Sequence, residues 1–126
     1  MEPYRLAVVI PSYNEEKTIK SVIESVRCIG DVIVVDDHSI DKTGVIARAC
    51  KVTVIRNENN RGYDKSLLIG LKSALDAGYE LIATFDADGQ HDPNDLKSMV
   101  AFFYENCDFA CLIGRRQKKN RISEII

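Results

Sequence analysis

Three carboxylates, Asp86, Asp88 and Asp92, fall within the nine residues FDADGQHDP, directly behind an apolar run at residues 81–85. An extended chain turns every second side chain to the same side, so Asp86 and Asp88 are expected to face one way with small Ala87 between them. Two carboxylates held side by side repel each other unless a proton or a cation lies between them. Oxygen ligands from Asp86, Asp88 and Gln90 suit a hard divalent ion, Mg2+ or Mn2+, over zinc, because His and Cys ligands are not at hand. Such an ion commonly bridges to phosphate. His38 and His91 are lone histidines, and each is expected at the surface or behind a ligand instead of on the ion.

Three further polar clusters follow apolar runs: PSYNEE from Pro11, DDHSID from Asp36 and NENNRGYD from Asn57. Each has a structural reading beside a functional one. Ser12 and Glu15 fit the S-x-x-E capping box, and Glu15 and Glu16 would favour a helix N-terminus through its dipole. Asp41 or Ser39 would cap a second helix, and Asp92 with Pro93 would open a later one. The dinucleotide pattern G-x-G-x-x-G is missing after the first apolar run, and no G-x-x-x-x-G-K-[ST] loop occurs, which sets nicotinamide and P-loop chemistry aside.

The elements that must position these clusters alternate regularly. RLAVVIPS reads as a buried strand, and Ile19, Val22, Ile23 and Val26 then recur at helical spacing in a segment ending near Gly30. DVIVVDD is a second strand, followed by a short helix over residues 43–50 and a third strand, VTVIR. A longer helix over residues 65–77 carries Leu68, Leu71 and Leu75 on one face, with Gly78 at its end. ELIATFDAD is a fourth strand, Leu96, Met99, Val100 and Phe103 form the buried stripe of the helix after Pro93, and DFACLIG is a fifth strand. Strands apolar on both faces and alternating with helices make a mostly parallel, doubly wound α/β sheet with helices on both faces. All four polar clusters then fall at the carboxyl edge of that sheet, where such folds bind ligands.

Composition agrees with a single such domain: 126 residues, 45% of them hydrophobic, with a net charge of −2 that argues against nucleic acid as a partner. The apolar runs are far too short to cross a bilayer and no charged-then-apolar leader opens the chain, so a soluble, cytoplasmic protein is expected. Cys28, Cys50, Cys107 and Cys111 form no C-x-x-C pair and are expected to pack as small reduced hydrophobes.

IPSYNEEKTI, VIVVDDHSIDKTG, NRGYDKSLLIGLKSA and FDADGQHDP, in that order, resemble the donor-binding part of the family 2 inverting glycosyltransferases with the GT-A fold. The similarity is strongest to the branch that moves sugars onto polyisoprenyl phosphates, such as dolichol-phosphate mannosyltransferases, and it covers residues 6–115. The resemblance implies that Pro11, Tyr13, Asn14 and Glu15 meet the base and ribose of a nucleoside diphosphate sugar, a UDP or GDP sugar, and that Asp37 accepts a ring N–H of the base. It implies that Asp86, Ala87 and Asp88 are the D-x-D element, with Asp86 and Asp88 as catalytic metal ligands and Gln90 as a further one. Arg61 and Gly62 would lie near the diphosphate, although Arg61 reads equally as a solvated loop charge.

The family continues past the D-x-D strand to an acceptor site and a carboxylate base. Residues 1–115 therefore read as a nucleotide-sugar-binding domain, apparently truncated at the C-terminus, and residues 116–126 as a basic tail opening a missing acceptor half. That tail suits anionic lipid, and hence a position peripheral to a membrane, or simple solvation. A non-catalytic nucleotide-sugar-binding module is the alternative, and a nucleotidyltransferase is disfavoured because PSYNEE carries neither glycine nor positive charge.

Overall fold

The computed structural model describes residues 5–105, 112–113 and 124–125. Its centre is a four-stranded parallel sheet in the order β3-β2-β1-β4, built from β1 (Leu6–Ser12), β2 (Asp31–Asp36), β3 (Thr53–Arg56) and β4 (Leu81–Thr84). β1 is buried along its whole length and pairs with β2 from Ala7–Asp31 to Ser12–Asp36 and with β4 from Leu6–Leu81 to Val9–Thr84. A strand flanked on both sides and covered on both faces must be apolar throughout, which is why LAVVI shows no alternation.

Alternate side chains of the sheet feed two cores. Val8, Ile10, Val32, Val34, Ala83 and Phe85 pack on one face with α1 (Ile19–Val26), α2 (Thr43–Ala49) and α4 (Pro93–Glu105). Ala7, Val9, Ile33, Val35 and Ile82 pack on the other with α3 (Tyr63–Asp76). The chain thus crosses from one face to the other after β3, and the strand order reverses between β1 and β4. This is the doubly wound α/β architecture expected from the alternation of elements.

α1 buries the stripe Ile19, Val22, Ile23 and Val26, and α4 buries Leu96, Val100 and Phe103 with Met99 partly covered, as their spacing predicts. Asp92 does open α4: its Oδ1 accepts the Asn94 N–H at 2.9 Å, ahead of Pro93 in the first turn. Gly78, at φ +86°, closes α3 with its N–H on the Leu75 carbonyl at 3.0 Å.

Four expectations change. Leu68 and Leu75 are 64% and 65% exposed, because α3 lays Ser66, Gly70 and Ala74 against the sheet instead. Ser12 forms no capping box: it is a buried strand residue whose hydroxyl donates to the Ile10 carbonyl, and α1 starts later, after Thr18. Ser39 does not cap α2: Lys42 holds the N-cap position without a side-chain bond, and Asp41 is the residue that satisfies the first turn, its Oδ1 accepting the Thr43 N–H at 2.9 Å. Cys28 is exposed and Cys50 half-buried, so Cys28 is no core residue.

Of the fifth strand, β5 (Leu112–Ile113) is described, and it pairs antiparallel with β6 (Glu124–Ile125), which falls in the segment read as a tail. The remainder of DFACLIG, with Cys107 and Cys111, lies outside the described residues.

Candidate functional site

At the carboxyl edge of β1 and β2, against the first turns of α3, lies a cleft of about 330 Å³ lined by Pro11, Ser12, Tyr13, Asp37, Asn60, Gly62, Tyr63 and Ser66. Asp36 and Asp37 divide two tasks at the end of β2. Asp36 is fully buried and braces the framework, accepting the Arg56 guanidinium at 2.7 Å and the Ser39 N–H at 3.0 Å. Asp37 points into the cleft.

The Asp37 carboxylate is buried and well satisfied. Its Oδ1 accepts the Asn57 amide at 2.8 Å and the Arg61 N–H at 2.7 Å, while Oδ2 accepts the Gly62 N–H at 2.9 Å. Burial by itself raises its pKa, but the bonds from Arg61, Asn57 and Gly62, with Ser66 close by, outweigh it and hold the group below the ordinary carboxylate value. Asn57 is also buried and donates to Ser66 Oγ at 3.0 Å, which ties the loop before α3 to α3 itself. Gly62, at φ +93°, takes a left-handed turn that a side chain would resist, and so aims its N–H at Asp37. Arg61 reaches Asp37 through its backbone; its side chain is exposed and does not line the cleft.

The loop after β1 is laced to the loop after β2. Asn14, in the left-handed region at φ 53°, donates its N–H to Ser39 Oγ at 2.9 Å and accepts the Ile40 N–H on Oδ1 at 3.0 Å. Glu15 N–H donates to Thr43 Oγ1 at 2.8 Å, Glu16 N–H to Asp41 at 3.2 Å, and Lys42 N–H to Glu16 at 3.0 Å. The polar residues of PSYNEE and DDHSID thus join two loops that the sheet brings side by side. Tyr13 stays 45% exposed at the cleft, with its ring free to cover a flat ligand.

Asp86 and Asp88 lie beyond β4, which ends at Thr84, so a turn and not strand alternation presents them. Gly89 at φ +81° completes that turn, Asp88 Oδ1 accepts the Gln90 N–H at 2.9 Å, and the Ala87 carbonyl accepts the Thr18 hydroxyl at 2.6 Å. The last bond pins the turn to the start of α1. Gln90 is exposed. Tyr63 OH lies 3.3 Å from Asp86 Oδ1, bridging the cleft to the turn. Burial first, then the charge of Asp86 and its hydrogen bond, and then Asp64 and Asp88, push the Tyr63 phenol up to about 12. Both D-x-D carboxylates therefore act on one phenol, and their hard oxygen donors fit a divalent ion. Among the described residues no three His, Cys, Asp or Glu side chains form a ready-made cage, so ligand oxygens would have to complete the coordination.

The structure thus gathers Pro11, Tyr13, Asp37 and Gly62 on one cleft and sets Asp86, Ala87 and Asp88 beside it through Tyr63. Asn57, Tyr63, Ser66 and Thr18 were not singled out for the site by sequence reasoning, while His91 lies behind Asp86, one of the two places expected for it. Tyr63 had one legible signal, its place directly after Asn60-Arg61-Gly62.

A parallel doubly wound sheet with a cleft at its carboxyl edge is an architecture that the GT-A glycosyltransferases share. The chain belongs to glycosyl transferase family 2, whose family model matches residues 7–123. It is 40% identical over 121 residues to an uncharacterised protein of Methanocaldococcus jannaschii, covering 94% of this chain and 49% of that relative. It is 35% identical over 112 residues to the UDP-N-acetylglucosamine–dolichyl-phosphate N-acetylglucosaminyltransferase of Methanococcus voltae, covering 74% and 45%. Glucosyl-3-phosphoglycerate synthase from Mycobacterium tuberculosis, solved with Mn2+, uridine diphosphate and phosphoglyceric acid, matches with a TM-score of 0.65 and 25% identity over 80% of this chain and 39% of that one. The chain spans about half the length of the curated relatives it matches.

Proposed function

We propose that residues 1–115 are the donor-binding part of a metal-dependent, inverting glycosyltransferase that moves a sugar from a nucleoside diphosphate sugar to a polyisoprenyl phosphate at a membrane surface. The observation that carries this reading is the bridge from Asp37 through the Gly62 turn and Tyr63 to Asp86, which sets the Asp37 carboxylate in the cleft and the Asp86 turn beside it. The Mn2+ and uridine diphosphate of the mycobacterial synthase and the dolichyl-phosphate acceptor of the methanococcal enzyme support it. Among the described residues no helix is long and apolar enough to cross a membrane.

Each residue then has a part. Tyr13 covers the base, and Asp37, held in place by donors from Asn57, Arg61 and Gly62, accepts a ring N–H. Uracil and guanine present such an N–H and adenine does not. Pro11, Asn14 and Glu15 shape the ribose side, while Arg61 and Gly62 stand near the diphosphate. Asp86 and Asp88, with Gln90, would hold Mg2+ or Mn2+, which when bound neutralises charge on the departing diphosphate. The acceptor oxygen attacks the anomeric carbon from the face opposite the diphosphate, whose bond to that carbon breaks as the new one forms.

Calorimetric titration with UDP, GDP and ADP, each in Mn2+ and in excess EDTA, tests the reading. UDP or GDP is expected to bind in Mn2+, to bind far more weakly in EDTA or to Asp88→Ala, and to outcompete ADP. Equal affinity for all three nucleotides, or affinity indifferent to EDTA, would rule it out.

A further inference from the structure

His91 closes the D-x-D turn from behind. The residue is only 5% exposed, and its ring meets Phe85 edge to face, with centroids 5.0 Å apart and planes at 72°. Packing alone would be served as well by another apolar ring, yet both ring nitrogens are directed at Asp86. Nδ1 accepts the Asp86 backbone N–H at 3.1 Å. A neutral imidazole that accepts at Nδ1 carries its proton at Nε2. That Nε2 is buried without a hydrogen-bond partner, and Asp86 Oδ2 lies 3.4 Å from it, short of a formed bond. Buried polar atoms are almost always paired, so an unpaired one aimed at a carboxylate needs a reason. The other oxygen of the same carboxylate faces Tyr63 OH, also at a long 3.3 Å. Asp86 therefore stands between two donors with room to settle on either.

We propose that His91 is a positioning residue of the donor site: its Nδ1 fixes the Asp86 backbone while its Nε2–H orients the Asp86 carboxylate for a divalent ion. The inference rests on the donor-site reading and deepens it, since groups behind metal ligands set ligand orientation and the affinity that follows from it. His91 touches neither ion nor sugar in this role; it acts through Asp86.

Two variants separate the ring's tasks. His91→Asn keeps an acceptor near Nδ1 and loses the donor at Nε2, whereas His91→Gln keeps a donor near Nε2. His91→Asn is expected to weaken UDP binding in Mn2+ by about 10–100-fold and His91→Gln by less than about 3-fold, with UDP affinity in EDTA unchanged in both. Equal losses in the two variants, or none in either, would overturn the proposal by leaving His91 a packing residue only. A long-range proton–nitrogen NMR spectrum of the unliganded native chain needs no variant: His91 is expected as the Nε2–H tautomer, and a proton on Nδ1 also overturns it. Should the native chain bind no UDP in Mn2+, the donor-site reading falls by that result. The hold on Asp86 is then decided separately, by whether the His91 Nε2 signal moves in Asp86→Asn, as expected, or stays, which would refute it.

Discussion

Asp37 and Tyr63 are the two side chains whose proton affinities the cleft shifts, and they shift in opposite senses for stability. Burial raises the Asp37 pKa, but donors from Arg61, Asn57 and Gly62 more than offset it, so the folded value lies below 3.8. A carboxyl depressed on folding stabilises the protein above its unfolded pKa and loses that contribution as pH falls through the folded one. Asp37→Asn, which turns an amide N–H₂ toward existing N–H donors, is expected to cost about 1–3 kcal/mol at neutral pH. Urea unfolding should show the gap between variant and parent narrowing at pH values below 3.8. Tyr63 behaves in reverse: raised from 10.0 to about 12, its phenol contributes below pH 10 and loses that contribution as pH rises toward 12. With the residue 52% exposed, solvent screening keeps the effect on stability small, so the sharper test is spectroscopic. Alkaline titration of tyrosinate absorbance is expected to lose one late step, near pH 12, in Tyr63→Phe.

At the scale of elements, α3 is where the hydrophobic pattern misleads. Leucines at positions 68, 71 and 75 suggest an inward face, yet of the three only Leu71 packs against the sheet core, and Ser66, Gly70 and Ala74 are the residues α3 buries where it approaches β1 and β2. A Cβ on Gly70 would collide with Val9 Cγ1 and come to 3.0 Å from Val35 Cγ2. The legible signal was Ser66, Gly70 and Ala74 at four-residue spacing, a stripe of small side chains that permits close approach. Gly70→Ala should therefore destabilise by up to about 2 kcal/mol, because overpacking of about 1–3 kcal/mol outweighs the roughly 1 kcal/mol gained in helix propensity. Leu75→Lys, on the exposed face, should change stability by less than about 0.5 kcal/mol. Chemical denaturation of both variants checks the pair, and the reverse ranking would mean that the leucine face is the buried one. Since Ser66 sits one turn before Gly70 and takes a bond from Asn57, displacing α3 should also loosen the cleft.

For the whole molecule, the cleft is assembled from loops far apart in sequence, so a ligand that bridges them should stabilise the entire fold. Tyr13, Asp37 and Asp86 belong to three separate connections, and Tyr63 opens α3; they meet because β1 lies between β2 and β4 with α3 packed against it. At about a hundred times its dissociation constant, UDP with Mn2+ is expected to add about 2.7 kcal/mol of stability, visible as a raised thermal midpoint. Removing the ion with EDTA should return the midpoint to that of the unliganded chain. A shift that survives EDTA would mean that the nucleotide is held without the D-x-D turn.

The sequence by itself determined the alternation of strands and helices, the doubly wound class and the placing of four polar clusters at one edge. Those properties follow from local periodicity and from the requirement that parallel strands be covered on both faces. It also singled out Asp86 and Asp88, because carboxylates crowded after an apolar run are expensive unless something meets them, and the family resemblance added Asp37. Only the tertiary structure decided how each is met. Asp36 pairs with Arg56 and Asp37 with the Arg61 and Gly62 amides, a division that no local pattern separates, since the partners lie twenty or more residues away. Likewise the Tyr63 phenol meets the turn that presents Asp86 only because the sheet sets β4 beside β1 and α3 against β1, whereas His91 reaches Asp86 within that turn. Hydrogen bonds and charges act over a few ångströms of space, while sequence spacing reports separation along the chain, and the two agree only within a single helix, strand or turn.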